Sequence, residues 1–250
     1  MTLVFGVQPV LEALSRPERV ERIHLARERG GATDRIEQAA KTARVAVKAV
    51  PREALDRMAG PKQRHQGVAA ELREASIEVL DLQGLIDRIA PVERPLVLLL
   101  DGVQDPGNLG AILRSAHALG ADGVILPQDR TAPLGPAALK TSAGAALEIP
   151  IARVVNLKHA LDPLTELGLW SAAAVMDGEP ARSADLDRGL ALVMGGEAKG
   201  VRPSLAKRCD LRISIPMAKG FDSLNVSVAA GILLYEVQAQ RAENSARQKP

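Results

Sequence analysis

Residues 95–120 read PLVLLLDGVQDPGNLGAILRSAHALG, and this stretch decides the fold. Leu96 to Leu100 is an unbroken aliphatic run, as expected of a parallel strand covered on both faces. Asp105-Pro106-Gly107 turns the chain. Asn108 to Leu119 then repeats apolar residues at helical spacing and stops at Gly120, a C-terminal cap signal. The same alternation continues downstream. Val124–Leu126, Ile151–Val155, Trp170–Val175, Leu190–Met194 and Leu211–Ile215 read as strands. Ala137–Ser142, Leu157–Leu167, Pro203–Arg208 and Leu224–Gln240 read as helices, and 241–250 reads as a frayed polar tail. The pattern predicts an α/β fold: a mostly parallel sheet with helices on both faces.

Upstream, residues 1–75 form a smaller α/β unit of their own. Gly6–Leu14 and Thr33–Thr42 have helical spacing, Arg19–Leu25 and Val45–Val50 alternate as strands, Pro51–Met58 is a short helix opened by proline, and Gly67–Leu72 closes the unit as a strand. Between the two lies 76–94, rich in Glu, Asp and Pro and ending Pro91-Val92-Glu93-Arg94-Pro95, which reads as a linker. The expected organisation is 1–75, a linker over 76–94, and a larger domain over 95–250.

The composition supplies a real core, 46% hydrophobic but only 2% aromatic, so Leu, Val, Ile and Ala must pack it. Cys209 is the only cysteine, which excludes an internal disulfide or a multi-cysteine zinc site and points to a reducing compartment, the cytoplasm. No apolar run is long enough to span a bilayer and no leader-like segment opens the chain. The net charge of +2 is uneven: residues 1–75 hold 14 Lys/Arg against 10 Asp/Glu. A basic first segment suits contact with phosphate, though only weakly.

Three blocks carry chemistry, each following an apolar, strand-like run. The first is Asp105-Pro106-Gly107-Asn108-Leu109-Gly110 with Arg114 six residues beyond Asn108. It suits backbone N–H groups facing a ligand, and equally a plain turn with an N-cap and a solvated arginine. The second is Met194-Gly195-Gly196-Glu197-Ala198-Lys199-Gly200, where two glycines let the backbone approach a ligand or simply turn. It lacks the G-x-G-x-x-G spacing of dinucleotide sites, and the chain has no P-loop. The third is Ile215-Pro216-Met217 followed by Ser223-Leu224-Asn225, in which Ser and Asn either cap the next helix or serve a site as well. The histidines at 24, 65, 117 and 159 lack metal-ligand spacing. His65, in the polar turn Arg64-His65-Gln66-Gly67, either touches RNA or is ordinary surface, with ordinary surface favoured, and Cys209 reads as structural.

Taken together and in order, the blocks resemble the SpoU/TrmH family of RNA ribose methyltransferases, within the SPOUT superfamily. The resemblance spans 95–240. The front segment, opened by Phe5-Gly6-Val7-Gln8-Pro9-Val10 and closed by His65-Gln66-Gly67-Val68, resembles the L30e-like RNA-binding domain of the RlmB-type members. The resemblance implies a trefoil knot near the C-terminal end, an exception to the rule against threading. It implies S-adenosylmethionine in that knot, held by Gly195, Ile215 and Leu224 largely through backbone, with Gly196, Met217 and Asn225 lining the pocket. Asn108, Arg114, Glu197, Ser223 and Asn225 match the family's catalytic set. It also implies a homodimer, no metal, no membrane, and an RNA partner: 23S rRNA methylated at a guanosine 2′-hydroxyl.

Such a transfer needs oxygen, methyl and sulfur held in line and help for a weakly acidic hydroxyl, so positioning and electrostatics dominate. In the family the counterpart of Arg114 has been proposed as general base, yet a guanidinium stays protonated in proteins, which favours charge stabilisation. One departure stands out. Ala218-Lys219-Gly220-Phe221-Asp222 replaces a segment in which relatives usually have glycine directly after the alanine and a smaller β-branched residue at Phe221. The competing readings are methylation of tRNA, which the front segment disfavours, an RNA-binding assembly factor with an idle site, and a nucleotide-binding oxidoreductase, which lacks its fingerprint here.

Overall fold

The structure, a computed structural model, describes residues 2–15, 17, 20–27, 30–60, 64–72, 77–197, 199–218 and 223–247. The chain divides into two compact units, residues 1–76 and 77–250.

The first unit runs β1 (Thr2–Phe5), α1 (Val7–Leu14), β2 (Val20–Ala26), α2 (Gly31–Thr42), β3 (Val47–Val50), α3 (Arg52–Ala59) and β4 (Val68–Leu72). Its sheet has the order β1-β4-β2-β3, with β4 antiparallel to both neighbours and β2 parallel to β3. Val10, Ile23, Ile36 and Val68 pack as one cluster, and Leu55 with Val50 and Ala69 as another. The strand β1 is absent from the sequence reading. Thr2–Phe5 is too short to show a period, and only its pairing with Ala69–Leu72 makes it a strand.

His65 is not the surface residue its polar neighbours suggest. It is 5% exposed, and its Nδ1 accepts from the Gly67 N–H, 3.0 Å away. That leaves Nε2 to carry the proton donated to Asp56 Oδ1 at 2.9 Å. Beside it Gln66, at φ +52°, turns its Oε1 onto the N–H of Val7 at the start of α1, 3.0 Å away. The N-cap residue there is Gly6, at φ +95° and without a side chain to cap the helix. A Cβ on Gly6 would lie 3.2 Å from Gln66 Oε1. The opening and closing motifs of the unit thus bind each other. Gln66→Asn tolerates the left-handed backbone but is one methylene too short to reach Val7. It should cost ~1 kcal/mol in denaturant unfolding of the full chain.

The second unit runs β5 (Val79–Leu80), α4 (Leu82–Ile89), β6 (Leu96–Asp101), α5 (Pro106–Ala118), β7 (Gly123–Pro127), α6 (Pro136–Thr141), β8 (Ile151–Val154), α7 (Leu157–Glu166), β9 (Trp170–Pro180), β10 (Leu190–Gly195), α8 (Pro203–Ala206), β11 (Leu211–Ser214) and α9 (Val226–Arg247). The seven strands lie in the order β11-β9-β10-β6-β7-β8-β5, and every pair is parallel. The aliphatic run is buried from end to end because it serves two cores at once. Leu96, Leu98 and Leu100 point to α5 and α9 (Ile112, Leu113, Leu233), while Val97 and Leu99 point to α4, α7 and α8 (Leu85, Leu161, Leu205).

Two expectations are corrected here. The stretch 76–94 is not a free linker over its described part: Val79-Leu80 pairs with Ile151-Ala152 at the sheet edge. Asp81 caps α4 by accepting from the Gly84 N–H at 2.8 Å, and Leu85 and Ile89 enter the core. Leu85 packs so tightly that a Cβ on Gly123 would meet its Cδ1 at 2.6 Å. Nor does the chain fray at 241, since α9 continues to Arg247. Its polar side chains are paired: Gln240 accepts from the Leu186 N–H and donates to the Ala181 carbonyl, Arg241 donates to the Arg188 carbonyl, and Asn244 donates to Asp187. Residues 248–250 lie outside the described residues.

Candidate active site

The loops after β6, β10 and β11 converge at the carboxyl ends of the strands, on either side of the point where the chain order reverses between β10 and β6. That is where open parallel sheets take ligands. The turn after β10 is held against β6 by backbone. Gly196 N–H donates to the Asp101 carbonyl at 2.9 Å, and Gly200 N–H to the Gly196 carbonyl at 3.0 Å. The Asp101 carboxylate, on a residue 6% exposed, accepts from Arg202 Nε at 2.8 Å and from the Arg202 N–H at 2.9 Å. Asp101 and Arg202 escaped the sequence reading. The signal was there, since a lone carboxylate closes an otherwise aliphatic strand.

The double glycine has a cause in this packing. A Cβ on Gly195 would fall 1.9 Å from the Gly200 carbonyl carbon, and one on Gly196 would fall 2.0 Å from the Gly102 oxygen. Two chain segments cross here with room for hydrogen only.

Beside this turn opens a cleft of about 800 Å³. Gly195, Gly196, Glu197, Ile215, Met217, Ser223 and Leu224 all line it, and Met194, Ile213 and Leu233 give it an apolar floor. Size and lining suit a nucleoside-sized ligand, with an apolar slot for a flat ring and backbone groups at the rim. Asn108, Arg114 and Asn225 are not among the residues of its wall.

At its mouth Glu197, Asn108 and Asn225 form a chain. Asn108 Nδ2 donates to Glu197 Oε1 at 2.5 Å, and Asn225 Nδ2 donates to Asn108 Oδ1 at 3.0 Å. The other end of Asn225 caps α9: its Oδ1 accepts from the N–H and the hydroxyl of Ser227. Helix cap and site residue are the same side chain. The Asn108 N–H does not face a ligand, because Asp105, the N-cap of α5, accepts from it at 2.7 Å. Arg114 stands exposed on α5 and makes no hydrogen bond or ion pair with the described residues. Six residues along a helix place it roughly 120° round the axis from Asn108. Ser223 is exposed on the cleft wall. Ala198 and residues 219–222, including the unusual Phe221, lie outside the described residues.

Burial pushes the Cys209 thiol up to about 11, with Asp210 adding to the rise against the lowering effect of a hydrogen bond with Ser171. So little thiolate exists at pH 8 that iodoacetamide should leave folded Cys209 unmodified, which mass spectrometry reads directly. Among the described residues no three His, Cys, Asp or Glu side chains are grouped to hold a metal, and no helix is long and apolar enough to cross a membrane.

Both units of the chain have counterparts among known proteins. Residues 95–235 match the family described as SpoU rRNA Methylase, and residues 3–77 match one described as RNA 2′-O ribose methyltransferase substrate binding. The chain is 44% identical over 208 residues to the 23S rRNA (guanosine-2′-O-)-methyltransferase RlmB of Xanthomonas axonopodis pv. citri, covering 82% of each chain. It is 39% identical over 244 residues to RlmB of Pseudomonas putida, covering 95% of this chain and 96% of that one. Among solved structures it resembles the SpoU methyltransferase AviRb from Streptomyces viridochromogenes in complex with AdoMet. The TM-score there is 0.67 and the identity 27%, over 96% of this chain and 90% of that one.

Proposed function

The chain belongs to the SpoU rRNA methylase family, and from that premise we propose that it methylates the 2′-hydroxyl of a guanosine in 23S rRNA, using S-adenosylmethionine, in the cytoplasm. The observation that carries the assignment of residues is the Glu197–Asn108–Asn225 chain at the mouth of the cleft lined by Gly195, Ile215 and Leu224. When bound, S-adenosylmethionine supplies a methyl carbon already activated by its sulfonium. In this reading Gly195, Gly196, Ile215, Met217 and Leu224 hold it, with Asn225 at the rim.

The remaining work is orientation and charge. Glu197, fixed through Asn108, accepts a hydrogen bond from the ribose and turns the 2′-oxygen toward the cleft. Ser223 completes the wall, Asn225 stands at its rim, and Arg114, with its guanidinium unpaired among the described residues, neutralises the phosphate or the charge growing on the oxygen. Residues 1–75 dock the RNA, a role supported by their match to a substrate-binding family.

A second copy of the chain completes the enzyme. What supports this is a stripe along α9, where Val228, Ile232 and Tyr235 recur at helical spacing and stay exposed, Tyr235 at 65%, although the opposite face (Ala230, Leu233, Leu234, Val237) is fully used in the core. The match of residues 95–235 to the SpoU rRNA Methylase family supports the trefoil knot.

The test is to map ribose methylation across rRNA and tRNA with and without the protein, alongside calorimetry with S-adenosylmethionine. One lost guanosine mark in 23S rRNA is the expected result. A lost mark in tRNA instead, or no uptake of S-adenosylmethionine, overturns it.

A further inference from the structure

The turn at Gly196–Gly200 is the wall of two clefts, not one. Gly196, Lys199 and Gly200 also line a second hollow of about 590 Å³, at the carboxyl ends of β6, β7, β8 and β10. Nothing in the methyl-donor assignment uses it.

Its lining has two parts. Val155, just after β8, offers an apolar surface and is 81% exposed, whereas Pro127, also in the lining, is buried. Around them stand Gln104, Asp129, Arg130 and Lys199, none with a hydrogen bond or ion pair among the described residues. These groups are presented from firm backbone. Arg130 is held at φ +58°, an uncommon conformation for a long side chain, and is fastened on both sides. The Gln128 N–H donates to the Val154 carbonyl and the Ala132 N–H to the Val103 carbonyl, each at 2.8 Å.

An apolar surface ringed by unpaired donors and acceptors is the chemistry of a nucleobase site, with a flat face to cover and an edge to read. The carboxylate narrows the choice. Guanine presents two adjacent donors, N1–H and N2–H, to one carboxylate, whereas the Watson–Crick edges of adenine, cytosine and uracil present no such pair. We propose that this second cleft receives the guanine of the nucleotide being methylated, with Asp129 accepting from N1–H and N2–H. Gln104 donates to O6, the base lies on Val155, and Arg130 and Lys199 meet the flanking phosphates. This rests on the methyltransferase reading above. Since one turn divides the two clefts, a ribose at Glu197 has its own base within reach of the second.

The experiment uses the full-length protein and a short RNA carrying the mapped guanosine, made with guanosine or with inosine, which lacks the N2 amine, at that position. For the parent enzyme kcat/KM should be on the order of 10-fold higher with guanosine. Asp129→Ala and the equal-sized Asp129→Asn should each lose on the order of 10-fold on guanosine and treat the two RNAs within about two-fold. Both variants should take up S-adenosylmethionine as the parent does. If the parent methylates rRNA but does not distinguish guanosine from inosine, or the variants keep its preference, the guanine site is refuted and the methyltransferase stands. If the parent methylates no guanosine at all, both readings fall together.

Discussion

Arg114→Ala should bind S-adenosylmethionine within about two-fold of the parent and yet turn over RNA on the order of 10²–10³ times more slowly. Arg114 sits on α5, outside the wall of the donor cleft, so its removal leaves that cleft intact. It has no partner among the described residues, and truncation therefore strands no buried carboxylate and should hardly move Tm. What disappears is a fixed positive charge, worth most where charge develops during transfer. Single-turnover assays separate the possibilities: a fall in the chemical step supports charge stabilisation, whereas a fall in RNA affinity alone makes Arg114 a docking contact. Arg114→Lys should recover only part of the rate, because an ammonium keeps the charge but loses the planar fork. Unchanged turnover in Arg114→Ala would remove the residue from the mechanism.

The second large effect is on folding. Gly195→Ala puts a methyl group 1.9 Å from the Gly200 carbonyl carbon and 2.0 Å from the Val201 nitrogen. No flexible side chain is there to yield, so two stretches of main chain must separate and the hydrogen bonds binding the turn to Asp101 go with them. The expected loss is about 4 kcal/mol or more, with no measurable cofactor uptake. Gly200→Ala is the control. Gly200 has φ +61°, but nothing lies within 4 Å of its missing Cβ. That substitution should cost only about 1 kcal/mol of backbone strain. If Gly195→Ala melts like Gly200→Ala, the close crossing is not what the glycine serves.

The strands and helices were legible where a period could repeat. Leu96–Leu100 announced a doubly covered strand, and the structure gives the reason, with alternate residues feeding opposite cores. Where legibility failed, the missing information was a distant partner. Val79-Leu80 is too short to declare itself, and only Ile151-Ala152 makes it a strand. The polar residues 241–244 looked like solvated tail because the acceptors of Arg241 and Asn244 lie some 50 to 60 residues upstream, at Arg188 and Asp187. Residue types around the site were readable for a similar reason in reverse. Asn108, Glu197 and Asn225 come from three segments whose order resembles a known family, but that their side chains join end to end is a fact of three dimensions. His65 misled because its neighbours are polar, while its own ring is spent on Gly67 and Asp56.

The position of β10 in the sheet bears on how the molecule is made. Leu96 in β6 pairs with Leu190 in β10, so the middle of the seven-stranded sheet waits for nearly a hundred intervening residues. Closing so long a span is entropically slow, and parallel partners cannot shorten it with a hairpin. On a translating ribosome the first unit would already be complete while β6 still lacked a neighbour on one side, its apolar edge open to aggregation or to a chaperone. Catalytic competence therefore arrives late in synthesis, after the last third of the chain has emerged.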